Sequence, residues 1–139
     1  MTSIYLIRHA EAEGNLFRRA QGHWNGKITA RGKKQIDALA ERFKDVKIDA
    51  VYSSDLDRAV ETAGAILRGR DVPFKCTPLL REINMGVWEG ESWGNITYRW
   101  PEQMYNFNNE PERWHVPGCE SFDLSLIHIS EPTRHLRIS

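Results

Sequence analysis

Apolar residues are spaced along the first half of the chain in two patterns, short continuous runs and helical stripes. Residues 4–7 form a continuous apolar run with an isoleucine at each end, which predicts a strand buried on both faces, as in a parallel sheet. Residues 36–43 then place apolar side chains at i, i+3, i+4 and i+7. This single stripe predicts an amphipathic helix, which Thr29 is placed to open.

The alternation of strands and helices continues after this helix. Residues 50–53 predict a second short strand, and the spacing of Ser54 and Asp57 resembles a capping box at the start of the next helix. Gly69 ends that helix, and residues 73–77 predict a third strand. Strands that alternate with helices are typical of βαβ units. The predicted fold class is therefore α/β, with a mostly parallel sheet flanked by helices.

Residues 82–114 have a different composition, because four of the five tryptophans lie there. We predict short helices in this segment. Its aromatic side chains fit either a satellite core or a lid that faces a substrate. A stacking surface for nucleic-acid bases is disfavoured, because the segment is acidic and such surfaces normally accompany a basic groove.

Composition and charge narrow the class of protein. The 139 residues are 40% hydrophobic and 27% charged, which fits one soluble globular domain. Basic and acidic residues both number 19, so we expect neither nucleic acid nor a membrane as a partner.

No apolar run is long enough to cross a bilayer, and no secretory segment precedes the first predicted strand. Two distant cysteines, Cys76 and Cys119, predict neither a disulfide framework nor a metal pair, and we expect a cytoplasmic protein.

The end of the chain does not continue the pattern before it. Residues 124–134, LSLIHISEPTR, resemble the one-frame translation of a transposase adapter used in sequencing libraries. We expect residues 1–123 to be the N-terminal part of a domain whose fold is incomplete at its C-terminus, and residues 124–139 to be a non-native tail. The alternative is a genuine amphipathic tail.

Candidate chemistry follows the predicted strands, where ligands bind in an open parallel sheet. Arg8 and His9 come directly after the first strand, and Arg58 lies in the first turn of the helix after the second strand. Two guanidinium groups and an imidazole at one sheet edge fit a phosphate-sized dianion. Glu82 follows the third strand and can donate a proton to a leaving oxygen. Taken singly, Arg58 and Glu82 are also compatible with solvated surface positions.

Together with their neighbours, these residues resemble the motifs of the histidine phosphatase superfamily, the phosphoglycerate mutase-like enzymes. The first block is similar to the family's RHG signature and the last to its PGGES run. The blocks occur in the family's order, at residues 6–15 (LIRHAEAEGN), 21–22 (QG), 29–32 (TARG), 52–63 (YSSDLDRAVETA), 80–90 (LREINMGVWEG) and 117–121 (PGCES).

The resemblance implies a covalent phosphohistidine mechanism with no metal and no cofactor. His9 attacks phosphorus, while Arg8 and Arg58 neutralise the charge that spreads over the equatorial oxygens. Glu82 protonates the departing alkoxide and then deprotonates the water that releases phosphate from His9. The resemblance also assigns phosphate or substrate contacts to three further residues, Asn15, Gln21 and Gly22.

The sequence departs from the family's pattern in places. Ala10 stands where the RHG signature has glycine, which costs about 1 kcal/mol if the backbone there needs a positive φ. Cys119 replaces a glycine of the PGGES run. The resemblance also implies a second catalytic histidine on a late strand well beyond that run. His128, eight residues after Glu120, is not assigned this role. We therefore expect the 139-residue chain by itself to be nearly inactive.

These observations predict a phosphatase that acts on small phosphorylated metabolites. The first alternative is a mutase that moves phosphate between hydroxyl groups of a glycerate. Cofactor-dependent mutases of the family carry an acid block similar to ERHYG, and residues 82–86 lack its Arg-His-Tyr, which favours hydrolysis. The second alternative is a non-catalytic module in which Arg8 and Arg58 bind a phosphorylated ligand without turnover.

Overall fold

The computed structural model describes residues 1–122, which fall into two compact units. The sheet unit comprises Arg8–Arg18 and Asn25–Arg81. The aromatic unit comprises Met1–Ile7, Arg19–Trp24 and residues 82–122. The predicted non-native tail, with His128, lies outside the described residues.

Helices and a short parallel sheet build the sheet unit. Strands β1 and β2 pair in parallel, with Val51 opposite Phe74 and Ser53 opposite Cys76. Helix α3 connects the two strands, which confirms the predicted βαβ pattern in this part of the chain. The elements in chain order are α1 (Glu13–Leu16), α2 (Ala30–Phe43), β1 (Val51–Ser53), α3 (Asp57–Leu67), β2 (Phe74–Cys76) and a 3-10 turn (Pro78–Leu80).

Helix α2 forms where its local sequence signals predict it. The Thr29 side chain accepts a 3.0 Å hydrogen bond from the backbone N–H of Gly32, which satisfies one of the unpaired donors of the first turn. The predicted stripe faces inward, with Ile36 and Phe43 buried. Ile36 shares a core cluster with Ala65 of α3, so the stripe packs α2 against α3.

The predicted capping box at the start of α3 is wrong. The helix begins at Asp57 with Leu56 as its N-cap, so the Ser54 hydroxyl instead accepts the Leu56 N–H at 3.2 Å. The Asp57 N–H donates to Asn25 Oδ1 at 2.9 Å, and Asn25 Nδ2 donates to the Asp57 carboxylate at 3.1 Å. A side chain distant in sequence thus performs the capping. The predicted end is confirmed, because Gly69 has a φ of +68° just past the helix.

The strand predicted at residues 4–7 is also wrong. No strand is present between residues 1 and 11, and Leu6 and Ile7 are 73% and 40% exposed. A strand requires hydrogen-bonded neighbours, and the described sheet consists of β1 and β2. The apolar pattern of this run indicated burial, but a pattern alone does not supply a ladder partner.

The aromatic unit confirms the short helices predicted for residues 82–114. They are α4 (Trp93–Arg99), α5 (Pro101–Asn109) and 3-10 turns at Gly86–Trp88 and Pro111–Arg113. Trp88 is fully buried, and its ring centroid lies 5.5 Å from that of Trp114. For these two side chains the satellite-core alternative is therefore confirmed. Among the helices described, none has the length and apolar character needed to span a membrane.

Candidate functional site

In the sheet unit, the imidazole of His9 is held by the carbonyl of the next residue. His9 Nδ1 lies 2.7 Å from the Ala10 carbonyl oxygen. A carbonyl oxygen can only accept, so this hydrogen bond requires the proton on Nδ1. In the neutral ring the lone pair is then on Nε2, and Nε2 is the nitrogen with nucleophilic character.

The backbone around His9 accommodates the alanine that replaces the signature glycine. Arg18 is the non-glycine residue with a positive φ within residues 1–122, so Ala10 does not adopt the left-handed conformation that would favour glycine. The condition under which Ala10 would cost stability is therefore not met.

Arg58 lies in the first turn of α3 and is only 2% exposed. A solvated helix arginine, the alternative left open by the sequence, does not fit this burial. Placing a cation near the positive end of a helix costs free energy, and burying it costs more. A buried guanidinium group at this position is a candidate for binding an anion.

Thr62 connects the helix of Arg58 to the segment of His9. Its hydroxyl donates to the Arg58 carbonyl at 2.7 Å and accepts the Ala10 N–H at 2.9 Å. The side chain is buried, with 5% exposure. The structure thus brings the His9 segment and the Arg58 helix together through one hydroxyl group.

Arg8 and Asn15 occupy different positions in the sheet unit. Arg8 is exposed. Asn15 lies in α1, where its Oδ1 accepts the Ala12 N–H at 3.0 Å and its N–H donates to the Ala12 carbonyl at 2.9 Å. The Asn15 side chain therefore closes the turn that follows His9.

A further ion pair in the sheet unit fixes the chain just before Glu82. Arg81 donates two parallel 2.7 Å hydrogen bonds to the Asp55 carboxylate, one from Nε and one from Nη2. Hydrogen bonding to Asp55 raises the pKa of Arg81 above its ordinary value. Asp55 comes two residues after β1, so the pair fastens the end of the 3-10 turn to the carboxyl end of that strand.

In the aromatic unit, the remaining candidates lie on two adjacent segments. Gln21 is 8% exposed, and the Gly22 N–H donates to Glu89 Oε2 at 3.1 Å. Glu82 is exposed and precedes the buried Ile83. Glu89 joins the two segments, because its carboxylate also accepts the Met85 N–H at 2.8 Å.

The PGCES block is adjacent to the same segment. The Asn84 N–H donates to Glu120 Oε2 at 2.9 Å, and the Glu120 N–H donates back to the Asn84 carbonyl at 2.9 Å. Glu120 also lies 3.9 Å from His23 Nε2. Glu120 therefore contacts both segments that carry the candidates of the aromatic unit.

Sequence reasoning missed the roles of Thr62, Glu89 and Glu120, although all three lie inside the motif blocks. Apart from Met85 and Arg58, their partners are between 36 and 97 residues away in sequence. The motif blocks were the only available signal, because no local spacing rule identifies such partners. Within residues 1–122 no group of three or more His, Cys, Asp or Glu residues is arranged to hold a metal ion.

The parallel β1–α3–β2 arrangement defines an α/β protein, as predicted. The sequence model of the histidine phosphatase superfamily (branch 1) matches residues 4–126. The chain therefore belongs to the histidine phosphatase superfamily.

Two curated relatives illustrate the range of activities in this family. The chain is 37% identical over 134 residues to a probable phosphoglycerate mutase of Escherichia fergusonii, covering 94% of this chain and 59% of the relative. It is 32% identical over 121 residues to phosphoserine phosphatase 1 of Hydrogenobacter thermophilus, covering 87% of this chain and 57% of the relative. The chain thus spans less than two thirds of the length of either relative.

A solved structure supports the same fold. The alpha-ribazole phosphatase of Shigella flexneri superposes with a TM-score of 0.83 at 29% identity, covering 94% of this chain and 64% of that one. The predicted phosphoglycerate mutase-like α/β fold is therefore confirmed. Relatives in this family are named as phosphatases or as mutases, so the family is one of enzymes that act on phosphorylated compounds.

Proposed function

We propose that this protein is a phosphomonoesterase that hydrolyses small phosphorylated metabolites through a phosphohistidine intermediate on His9. The observation that carries the proposal is the 2.7 Å contact between His9 Nδ1 and the Ala10 carbonyl. This contact places the ring proton on Nδ1 and gives Nε2 the lone pair that a nucleophile needs.

The proposed reaction has two steps. In the first, His9 Nε2 forms a bond to phosphorus while the bond from phosphorus to the leaving oxygen breaks, and Glu82 gives its proton to that oxygen. In the second, Glu82 takes a proton from water, the resulting hydroxide attacks phosphorus, and the P–N bond breaks to release inorganic phosphate. Glu82 ends each cycle protonated, so proton and phosphate balance without another reactant.

Arg58 and Arg8 are proposed to stabilise the charge on the transferring phosphoryl group. The burial of Arg58 supports its role, because a desolvated guanidinium interacts with an anion more strongly than one in water. Arg8 is exposed and adds a second donor. Asn15, Gln21 and Gly22 are proposed to contact phosphate or substrate, as the family resemblance implies.

A mutase activity is the second candidate, favoured by the relative of Escherichia fergusonii that is named as a probable phosphoglycerate mutase. The acid block at residues 82–86, EINMG, lacks the Arg-His-Tyr of the cofactor-dependent mutases, which supports hydrolysis. The relatives named as phosphoserine phosphatase and alpha-ribazole phosphatase also favour hydrolysis.

The test measures phosphate release from phosphoserine and a panel of phosphorylated sugars. It uses the full-length protein, by which we mean residues 1–123 continued by the native sequence that carries the late strand and second histidine implied by the family resemblance. We expect release, together with an acid-labile, base-stable phosphate on the protein that disappears in His9→Ala and persists in the control His115→Ala, whose side chain is exposed in the aromatic unit. Labelling that survives His9→Ala would contradict the assignment. Exchange between glycerate phosphate isomers without release would favour the mutase, and binding with neither reaction would favour the non-catalytic module.

The expectation that the 139-residue chain alone is nearly inactive stays a prediction, and the same assay of phosphate release measures it.

We further propose that residues 1–123 are the N-terminal part of the histidine phosphatase domain and that residues 124–139 are not part of it. The order of the motif blocks supports this, since the last block ends at Ser121. Urea denaturation of the chain with and without residues 124–139 tests the boundary. Equal midpoints and slopes are expected, and a lower midpoint for the shortened chain would show that the tail contributes to folding.

A further inference from the structure

The carboxylate of Glu89 accepts four backbone hydrogen bonds in the aromatic unit. Oε2 accepts the N–H groups of Gly22 at 3.1 Å and Trp24 at 2.8 Å. Oε1 accepts the N–H groups of His23 and Met85, both at 2.8 Å. Each oxygen thus carries two charge-assisted bonds, which are about twice as strong as bonds between neutral groups.

These bonds fasten a loop that carries proposed substrate contacts. Residues 21–24 include Gln21 and Gly22, and three successive N–H groups of this loop converge on Glu89. Successive N–H groups that point to one place form a concave site for an anion, and here a side chain of the protein is that anion. The fourth bond joins the loop to the segment that begins with Glu82.

The backbone that carries Glu89 is itself fixed. The Glu89 N–H donates to the Gly86 carbonyl at 3.0 Å, and the Gly90 N–H donates to the Ala20 carbonyl at 2.8 Å. Trp88, the preceding residue, is fully buried. The carboxylate therefore lies at a defined position, and the loop takes its conformation from it.

We propose that Glu89 is the positioning residue for the substrate-contacting loop, holding Gln21 and Gly22 in the conformation that binds the phosphorylated substrate. This inference rests on the proposed function, because Glu89 acts through residues to which that function gives a role. Its effect is expected mainly on substrate and phosphate binding, since the loop itself supplies neither the nucleophile nor the acid.

Glu89→Gln is the sharpest test, because it keeps the size of the side chain. An amide has one oxygen, and in either orientation its NH2 group faces two of the four N–H donors, so two hydrogen bonds are lost. Glu91→Gln is the matched control. Glu91 contacts the residue just before the loop through its backbone, because its carbonyl accepts the Ala20 N–H at 2.9 Å.

Three measurements on the full-length protein decide the proposal. In Glu89→Gln, amide exchange at residues 22–24 should accelerate. The dissociation constant of inorganic phosphate should rise about tenfold, because part of the free energy of the two lost hydrogen bonds is expressed in binding. KM for the best substrate should rise more than kcat falls. Glu91→Gln should match the wild type in all three.

Several outcomes would overturn the proposal. Unchanged exchange, or faster exchange with unaltered phosphate affinity and KM, would mean that Glu89 does not position the loop for binding. Equal effects in Glu91→Gln would show only general destabilisation. If Glu89→Gln does not fold, the wild-type protein still decides, since unprotected amides at residues 22–24 would contradict the proposal and protected ones support it. If the wild-type protein neither releases phosphate nor becomes labelled on His9, the proposed function is refuted instead. In that case amide exchange at residues 22–24 and the dissociation constant of phosphate would still test the role of Glu89.

Discussion

The backbone N–H of Ala10 donates a 2.9 Å hydrogen bond to the hydroxyl of Thr62, 52 residues further along the chain. The same hydroxyl donates to the Arg58 carbonyl at 2.7 Å. One buried side chain therefore relates the position of the proposed nucleophile's segment to that of the proposed phosphate-binding arginine. A shift of either the His9 segment or Arg58 would change the geometry of phosphoryl transfer, and reaction rates are sensitive to that geometry.

Thr62→Val should destabilise the protein, while Thr62→Ser should not. Valine has the shape of threonine but no hydroxyl, so the Ala10 N–H loses its partner at a buried position, which costs about 1–3 kcal/mol. Urea denaturation measures the loss. Thr97→Val is the control, because Thr97 makes the same kind of bond to the Trp93 carbonyl but is exposed. Equal losses at the two positions would show that the contact to Ala10 contributes nothing of its own.

Arg58→Lys should reduce the turnover of the full-length protein strongly. Lysine keeps the charge but loses the planar fork that contacts two phosphate oxygens, and removal of one preorganised donor typically costs about 10²–10³ in rate. Arg68→Lys, at the opposite end of α3, is the control, since Arg68 is about half exposed and pairs with Asp37 at the surface. Near-normal turnover of Arg58→Lys would mean that the buried guanidinium serves the structure and not the reaction.

The contrast between Thr29 and Asn25 shows how far the sequence predicts this fold. Thr29 caps α2 by accepting a hydrogen bond from a residue three positions away, and the apolar stripe of that helix is also a local pattern. Both features can therefore be predicted from the sequence. Asn25 caps α3 from 32 residues away, and no spacing rule specifies such a partner. The strand predicted at residues 4–7 was wrong for the same reason, because an apolar run predicts burial but does not identify a neighbouring strand.

The candidate site follows the same division. The motif blocks identified Arg58 and His9, and the structure adds what the blocks do not encode, namely the tautomer of His9 and the burial of Arg58. Thr62 and Glu89 lie in the blocks as well, but their roles depend on backbone groups brought near by folding. Residues that act through such contacts become visible only when the fold is known.

Glu82→Gln should slow both half-reactions while leaving substrate affinity nearly unchanged. The amide keeps the shape of the side chain but can neither give a proton to the leaving oxygen nor take one from water. Rapid-quench measurements of phosphohistidine formation and decay give the two rates separately. Glu102→Gln, an exposed position in the first turn of α5, is the control. A raised KM with normal kcat would assign Glu82 to binding alone.

Alanine substitutions at Gly22 and Gly64 should change stability in opposite directions. A Cβ at Gly22 would lie 2.0 Å from the Ile83 carbonyl oxygen and 2.5 Å from Glu89 Oε1, and a backbone atom cannot give way easily. Gly22→Ala should therefore lower the free energy of unfolding by about 1–3 kcal/mol, as overpacking does. Gly64 lies inside α3 with nothing within 4 Å of a Cβ, so Gly64→Ala should raise it by about 0.4–1 kcal/mol through better helix propensity and a less flexible unfolded chain. Denaturation midpoints of the two variants in urea test this directly, and a Gly22→Ala variant as stable as Gly64→Ala would show that the loop of residues 21–24 is not packed against residues 83–89 as described.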